Sequence, residues 1–144
     1  MGAAMAAISA TEVVYSDMFM KQQIKIVTFG EPRVGNQQFA NTFDDMVESF
    51  LPKFQMIITI EYKFRVTHHR DLVAHMPPKI FSYQHHRYEV WYKNEMTSDS
   101  DAPVICEAQE DSNCSNSYFV PLSFYDHEHY FGNNFRNYIG DSCK

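Results

Sequence analysis

The alternation of apolar segments in the first half of the chain restricts the fold more than any other feature of the sequence. Ile24–Phe29 is a short, mostly apolar run that ends in a turn rich in Gly and Pro, which predicts a strand. Asn36 is placed to cap a helix that runs to about Phe50, and Ile57–Thr67 predicts the next strand. Because strands and helices alternate with short connections, we predict an α/β fold with a mainly parallel sheet and flanking helices.

The remaining segments extend this pattern on both sides. Met1 to about Gln23 is predicted to form one helix, and its Ala-rich first half predicts burial against a neighbouring element. Tyr83–Tyr92 has an alternating pattern that predicts a further strand, and Val104–Cys106 predicts a short one. No internal repeat or domain boundary interrupts the 144 residues, and this length corresponds to one domain.

Composition and charge argue against several classes of partner. The net charge is −6 and no Lys/Arg cluster is present, so we expect no nucleic-acid partner. No apolar run reaches the ~18 residues that a membrane helix requires, so we expect no transmembrane segment. The oligomeric state cannot be predicted from these features.

The three cysteines differ in what their positions predict. Cys106 and Cys114 flank a polar loop with little core of its own, and closing that loop would contribute about 2.5 kcal/mol. A bridge between them is therefore favoured over two free thiols. Cys143 is left over, which implies a free thiol, an intermolecular bond, or a partner that lies outside this sequence.

Two polar residues in the second half of the chain together suggest acid–base chemistry. Asp71 follows a predicted strand, where it could be a turn residue or a helix cap, and His127 is one of seven histidines. As a pair, however, the carboxylate can bind one imidazole nitrogen and leave the other as a general base. The order Asp then His completes the hydrolase order Ser…Asp…His. Ser9, Ser16 and Ser49 precede Asp71 but none lies in Gly-x-Ser-x-Gly, so we expect the nucleophile to lie upstream.

A metal site is the alternative that the histidines suggest. His68 and His69, like His85 and His86, are adjacent, and neighbouring strand residues point to opposite faces of a sheet. No Cys/His spacing matches a zinc site either, so we expect no metal and no cofactor. His75 is interpreted as a packing residue.

Several longer motifs resemble one protein family. Met1–Ala6 is similar to the residues that follow the serine in the family's Gly-His-Ser-Leu-Gly-Gly-Ala-Leu-Ala. Val27–Asn36 resembles a family strand and loop that usually has Gln where Glu31 stands. Phe64–Asp71 and Asp126–Gly132 resemble the segments that carry the acid and the histidine of a triad. The chain thus resembles the fungal-type class 3 lipases, which are α/β-hydrolases, and especially their secreted nematode-like members.

The resemblance implies specific roles for individual residues. Residues 1–144 would form the C-terminal portion of an α/β-hydrolase fold, a partial lipase class 3 domain that begins just after the nucleophile. Asp71 would be the triad acid and His127 the base, and the backbone N–H of Met1 would contribute to the oxyanion hole. Cys106 and Cys114 would form the family's small disulfide loop, and Cys143 would pair with a cysteine upstream.

The resemblance also implies an activity. The complete enzyme would be a secreted serine ester hydrolase that acts on triacylglycerols or related long-chain esters at a lipid–water interface. Because the serine is not in this sequence, we expect the 144-residue chain alone to be inactive. The alternative is a non-catalytic lipid-binding paralogue or an inactive fragment. Phe50–Ile60 is longer than the family's usual connection and is interpreted as an insertion, with retained intron sequence as one origin.

Overall fold

The secondary structure follows the predicted order of elements, with shorter boundaries. The computed structural model describes residues 1–19, 23–48, 62–98, 100–118, 120 and 123–138. The helices in these residues are α1 (Gly2–Tyr15), α2 (Gln37–Glu48) and α3 (Phe124–Glu128). The strands are β1 (Ile26–Phe29), β2 (Gly35–Asn36), β3 (Lys63–His68), β4 (Tyr83–Gln84), β5 (Glu89–Tyr92), β6 (Val104–Cys106), β7 (His129–Tyr130) and β8 (Asn133–Asn134). Short 3₁₀ turns occupy Val73–His75, Lys79–Phe81, Ser115–Ser117 and Phe135–Tyr138.

Some sequence predictions fall on residues outside these ranges. The expected insertion Phe50–Ile60 and the leftover Cys143 lie outside the described residues. The same is true of residues 57–61, at the start of the predicted strand Ile57–Thr67.

The main sheet confirms the predicted α/β class. Within the described residues it has four strands in the order β1-β3-β5-β6. β3 pairs in parallel with β1 on one side and with β5 on the other, whereas β6 pairs antiparallel to β5. The carboxyl ends of three neighbouring strands therefore meet at one edge, which is where α/β folds place their functional groups.

Helices α1 and α2 cover one face of this sheet. Ala7 of α1 packs with Ile26 of β1 and Phe43 of α2 in one buried cluster. The small side chain at position 7 allows the helix to approach the strand closely. The predicted cap of α2 is confirmed, because the Asn36 side chain accepts a 2.9 Å hydrogen bond from the amide of Phe39.

The predicted end of α1 is wrong, and its predicted burial is confirmed on one side only. The helix ends at Tyr15 rather than near Gln23, because the chain turns at Asp17, whose φ is +51°. It is also not buried all round, since Met5 and Ile8 are 61% and 53% exposed. Only one side of α1 contacts the sheet and α2. The small residues on that side allow close packing, and the opposite side of the helix is exposed.

The predicted strand Tyr83–Tyr92 is two strands. β4 pairs antiparallel with β2, whereas β5 belongs to the main sheet. Between them, Tyr88 adopts a φ of +67°, and His85 and His86 are buried with their rings hydrogen-bonded. An alternating pattern cannot distinguish a continuous strand from two strands joined by buried polar residues.

A disulfide joins Cys106 and Cys114, as predicted. Their Cα atoms are 6.2 Å apart, and both cysteines pack against Trp91 and Tyr118. In the part of the chain that the structure describes, no helix has the length and apolarity to cross a membrane.

Candidate active site

Asp71 lies at the carboxyl edge of the sheet, three residues after the end of β3. Its carboxylate is 1% exposed, and Oδ1 accepts hydrogen bonds from the amides of Val73 (2.7 Å) and Ala74 (3.2 Å). This oxygen therefore caps the 3₁₀ turn Val73–His75. The structural interpretation of Asp71 as a cap is correct for one carboxylate oxygen, and the other oxygen is directed to the candidate site.

His127 comes from α3, the short helix that faces this edge. Ser123 caps the helix by accepting a 3.0 Å hydrogen bond from the amide of Asp126. The imidazole Nδ1 lies 2.9 Å from Oδ2 of Asp71, and the His127 side chain is 28% exposed. Residues that are 56 positions apart thus form a carboxylate–imidazole pair. Because the carboxylate can only accept, Nδ1 is the donor and Nε2 is left as a base.

Tyr130 provides another hydrogen bond to the same carboxylate. Its hydroxyl donates to Oδ2 of Asp71 over 3.2 Å from a buried position. Burial, reinforced by the negative charge of Asp71, raises the pKa of Tyr130 well above its usual range, so the hydroxyl keeps its proton and remains a donor. The sequence suggested no role for Tyr130 because this contact depends on how the chain folds back after α3.

Gly30, at the carboxyl end of β1, packs directly against the pair. Its φ is +56°, and a Cβ at this position would lie 2.6 Å from Nδ1 of His127 and 2.8 Å from Oδ2 of Asp71. Both the left-handed backbone and the close approach require glycine. The sequence marked this position only as a turn.

A second set of hydrogen bonds ties the β3 turn to α3. Asp126 Oδ2 accepts from the amide of Arg70 (2.9 Å) and lies 3.2 Å from Nδ1 of His69. The ring of His68 lies between the carbonyl oxygens of Asp126 and Asn94, 3.0 Å from each. These contacts hold the residue before His127 against the turn that carries Asp71.

The histidines of the proposed metal alternative have other partners. His85 Nε2 donates to the carbonyl of Ala74, and burial, with the charges of Arg65 and Arg33, lowers its pKa well below the usual value. His86 Nε2 lies 3.1 Å from Oε1 of Glu31. Among the described residues, no three or more His, Cys, Asp or Glu side chains are arranged to hold a metal ion.

The interpretation of His75 as a packing residue is incomplete. Its Nδ1 lies 2.8 Å from the carbonyl oxygen of Asp71 and donates to it. The side chain therefore closes the turn that begins at Asp71.

A cavity of 710 Å³ opens beside His127. Its walls include Gly2 and Ala3 at the start of α1, Val27 and Phe29 of β1, and Phe135. The amide groups of the first turn of a helix have no partner within the helix, so the start of α1 brings potential hydrogen-bond donors to the cavity. Met1 immediately precedes these residues and is 88% exposed.

The architecture and the site place the chain in a known class. A mainly parallel sheet with a carboxylate–histidine pair at its carboxyl edge is the architecture of the α/β-hydrolases. A model of the lipase (class 3) family matches residues 1–81, more than half of the chain. The chain therefore belongs to the class 3 lipase family.

Similar proteins support this assignment. A lipase of Caenorhabditis elegans is 33% identical over 92% of this chain and 42% of its own length. A secreted mono- and diacylglycerol lipase of Malassezia globosa is 34% identical over 81% of this chain and 31% of its own length. A solved structure of a triacylglycerol lipase, described as having a serine-protease triad as its catalytic centre, is 30% identical and superposes with a TM-score of 0.73, covering 92% of this chain and 45% of that one. The chain spans less than half the length of these relatives.

Proposed function

We propose that Asp71 and His127 are the acid and the base of a serine ester hydrolase. The observation that carries this proposal is the 2.9 Å contact between Oδ2 of Asp71 and Nδ1 of His127 at the carboxyl edge of the sheet. The buried carboxylate is held by two backbone amides and the Tyr130 hydroxyl, which fix its orientation toward the imidazole. The histidine is in turn partly exposed to a cavity that a substrate can enter.

In this mechanism a serine hydroxyl from chain that precedes Met1 attacks the ester carbonyl carbon. His127 takes the hydroxyl proton on Nε2, and Asp71 stabilises the imidazolium that forms. The imidazolium then gives this proton to the alkoxide oxygen as the C–O bond breaks, which releases the alcohol. Water then attacks the acyl carbon while His127 takes its proton. The imidazolium returns that proton to the serine oxygen as the acyl C–O bond breaks, which releases the acid and restores the serine.

The start of α1 is the proposed oxyanion site. The tetrahedral intermediate carries a negative charge on the former carbonyl oxygen, which needs hydrogen-bond donors. The unpaired amides of the first turn and the positive end of the helix dipole suit this role. The proposed donor on this chain is the backbone N–H of Met1, and the second donor comes from another segment.

The proposed substrates are long-chain esters at a lipid–water interface, with triacylglycerols as one example. Apolar side chains of Val27, Phe29 and Phe135 line the cavity beside His127, and they suit an acyl chain. The disulfide and the one reported relative described as secreted, the Malassezia globosa lipase, support an extracellular enzyme. Residues 1–144 are then the C-terminal part of the catalytic domain.

The test begins with the native transcript. The codons that precede Met1 are read, and the encoded longer protein and the 144-residue chain are assayed in parallel on a soluble short-chain ester and on emulsified triglyceride. We expect a Gly-x-Ser directly before Met1, turnover by the longer protein, and none by the 144-residue chain. A stop codon or promoter at that position, or turnover by the 144-residue chain, would contradict the proposal. A longer protein that binds lipid without turnover would favour the non-catalytic alternative.

A further inference from the structure

A buried carboxylate outside the proposed reaction lies at the centre of a second hydrogen-bond system. Glu110 is in the loop closed by the Cys106–Cys114 disulfide, and its side chain is 6% exposed. It binds Arg33 through two parallel contacts, Nε to Oε1 (2.7 Å) and Nη2 to Oε2 (2.8 Å). This bidentate geometry is the strongest form of a carboxylate–guanidinium pair. A pair so deeply buried costs desolvation, so its position in the fold needs a reason.

Arg33 also donates from Nη2 to Oδ1 of Asn116 over 3.3 Å, and its other donors bind three consecutive carbonyl groups. Nη1 donates to the carbonyl oxygens of His75 and Pro77, and the backbone amide of Arg33 donates to that of Met76 over 2.8 Å. Glu110 orients the guanidinium toward the carbonyl oxygens of His75 and Pro77 and balances its charge.

Glu110 holds a second residue that acts on the same segment. Its Oε1 accepts a 2.7 Å hydrogen bond from the amide of His85, whose Nε2 donates to the carbonyl of Ala74 over 2.8 Å. The four consecutive carbonyl groups of residues 74–77 are thus bound by two residues, Arg33 and His85. Both of these residues are bound by Glu110.

The segment that these residues hold is the one that orients Asp71. The amides of Val73 and Ala74 donate to Oδ1 of Asp71, and His75 Nδ1 donates to its carbonyl oxygen. A shift of residues 74–77 therefore changes the direction of the carboxylate that faces His127.

We propose that Glu110 is a positioning residue that aligns the Asp71 carboxylate with His127, acting through Arg33 and His85. The proposal rests on the proposed function in one respect, the role of Asp71 as triad acid. The geometric effect on the turn does not depend on that role. Misplacement of a catalytic group by about 1 Å can lower a rate by about 10²-fold. A residue that fixes the position of the Asp71 carboxylate therefore affects the reaction rate.

The first test measures the turn itself in the 144-residue chain. Amide hydrogen exchange is followed by NMR in Glu110→Gln and in the matched control Glu107→Gln, an exposed carboxylate in the same disulfide loop. In Glu110→Gln we expect exchange of the Val73 and Ala74 amides to accelerate at least about tenfold relative to the Ile26 amide in β1. The control should change this ratio by less than about twofold. Equal ratios in the two variants would overturn the proposal.

A double variant separates positioning from loss of stability. Arg33→Met combined with Glu110→Gln leaves no unpaired buried charge, so the free energy of unfolding should recover relative to Glu110→Gln alone. Exchange at Val73 and Ala74 should stay fast, because nothing replaces the donors to residues 75 and 77. If exchange at these amides recovers together with stability, Glu110 has only a structural role. If the single variant fails to fold, the double variant alone is compared with Glu107→Gln.

The activity test keeps this inference distinct from the proposed function. In the longer protein that carries the serine, Glu110→Gln should lower kcat about 10- to 100-fold with little change in KM. An unchanged kcat in an active enzyme would refute positioning and leave the triad intact. An inactive parent protein would refute the proposed function, and the exchange data would still decide whether Glu110 orders the turn.

Discussion

Two of the carboxylate–histidine pairs in the described residues have similar distances between the partners but different surroundings. Asp71 and His127 are 2.9 Å apart, and Glu31 and His86 are 3.1 Å apart. The side chain of His127 is 28% exposed and lines the cavity, whereas that of His86 is 4% exposed. The distance between the partners therefore does not distinguish the proposed catalytic pair from the buried Glu31–His86 pair.

The two histidines also differ in whether the second imidazole nitrogen has a hydrogen-bond partner. In His86 both nitrogens have acceptor partners, because Nδ1 lies 3.0 Å from the carbonyl oxygen of Arg87. In His127, Nδ1 is bound by Asp71, and no hydrogen bond to Nε2 is present among the described residues, so this nitrogen suits the proposed role of base. Glu31 is further bound by the Thr28 hydroxyl at 2.5 Å. A histidine with both nitrogens engaged links elements of the core, and a histidine with one nitrogen engaged can act as a base.

The largest expected effect comes from exchanging each carboxylate for its amide. In the proposed longer protein that carries the serine, Asp71→Asn should lower kcat about 10⁴-fold, because the amide favours the wrong imidazole tautomer. Glu31→Gln should leave kcat within about threefold, because a Gln amide can still hydrogen-bond His86. The measurement is steady-state hydrolysis of a soluble ester. Similar losses in the two variants would remove the distinction between the pairs.

Gly30→Ala should have the next largest effect, because Gly30 packs against both Asp71 and His127. In Gly30→Ala the new methyl group would overlap His127 and Asp71, so we expect kcat to fall about 10²-fold. Gly132 is the matched control, because its φ is +72° and a Cβ there has no neighbour within 4 Å among the described residues. Gly132→Ala should cost about 1 kcal/mol of stability from backbone strain alone and leave kcat unchanged. A comparable loss of kcat in both would show that strain, not contact, is responsible.

Acid should destabilise the protein through its buried histidines. Burial and the neighbouring Arg65 and Arg33 keep the pKa of His85 well below its ordinary value of 6.5, so the unfolded state binds more protons. The free energy of unfolding should therefore be constant above that value and fall below it by up to about 1.4 kcal/mol per pH unit for this histidine. Urea unfolding between pH 7 and 5 measures the slope. His85→Gln should reduce it and His129→Gln should not; an unaltered slope in His85→Gln would contradict this assignment.

Removing the Tyr130 hydroxyl should have the smallest effect. Tyr130→Phe keeps the packed ring and removes one of several donors to Asp71. We expect kcat to fall by only about three- to tenfold and stability by about 1 kcal/mol. A loss as large as that of Asp71→Asn would mean that the hydroxyl, rather than the amides of the turn, orients the carboxylate.

Features that depend on local pattern or on a long motif were predictable from the sequence. The α/β class follows from the alternation of strand and helix, and the Asn36 cap from one residue before an amphipathic segment. The disulfide between Cys106 and Cys114 could be predicted because both cysteines flank one short loop. The structure also brings Asp71 and His127 together, as the hydrolase order suggested.

Features that depend on contacts between distant segments were not predictable. Arg33 and Glu110 are separated by 77 residues. In the sequence, each looks like an ordinary charged residue in a loop. The sequence indicates only a turn at Gly30. Its close approach to the His127 side chain, which also requires glycine, is visible only in the folded structure. The division of Tyr83–Tyr92 depends on where two histidines are buried, which an alternating pattern does not encode.

The most direct test of the central claim compares two histidines that lie two residues apart. In the longer protein, kcat is measured for His127→Gln and for His129→Gln, whose ring stacks on Tyr125 and does not contact Asp71 in the described structure. If His127 is the general base, its replacement should lower kcat by at least about 10⁴-fold, whereas His129→Gln should change it by less than about threefold. Retention of activity in His127→Gln would contradict the assignment of Asp71 and His127 as the acid and base of an ester hydrolase.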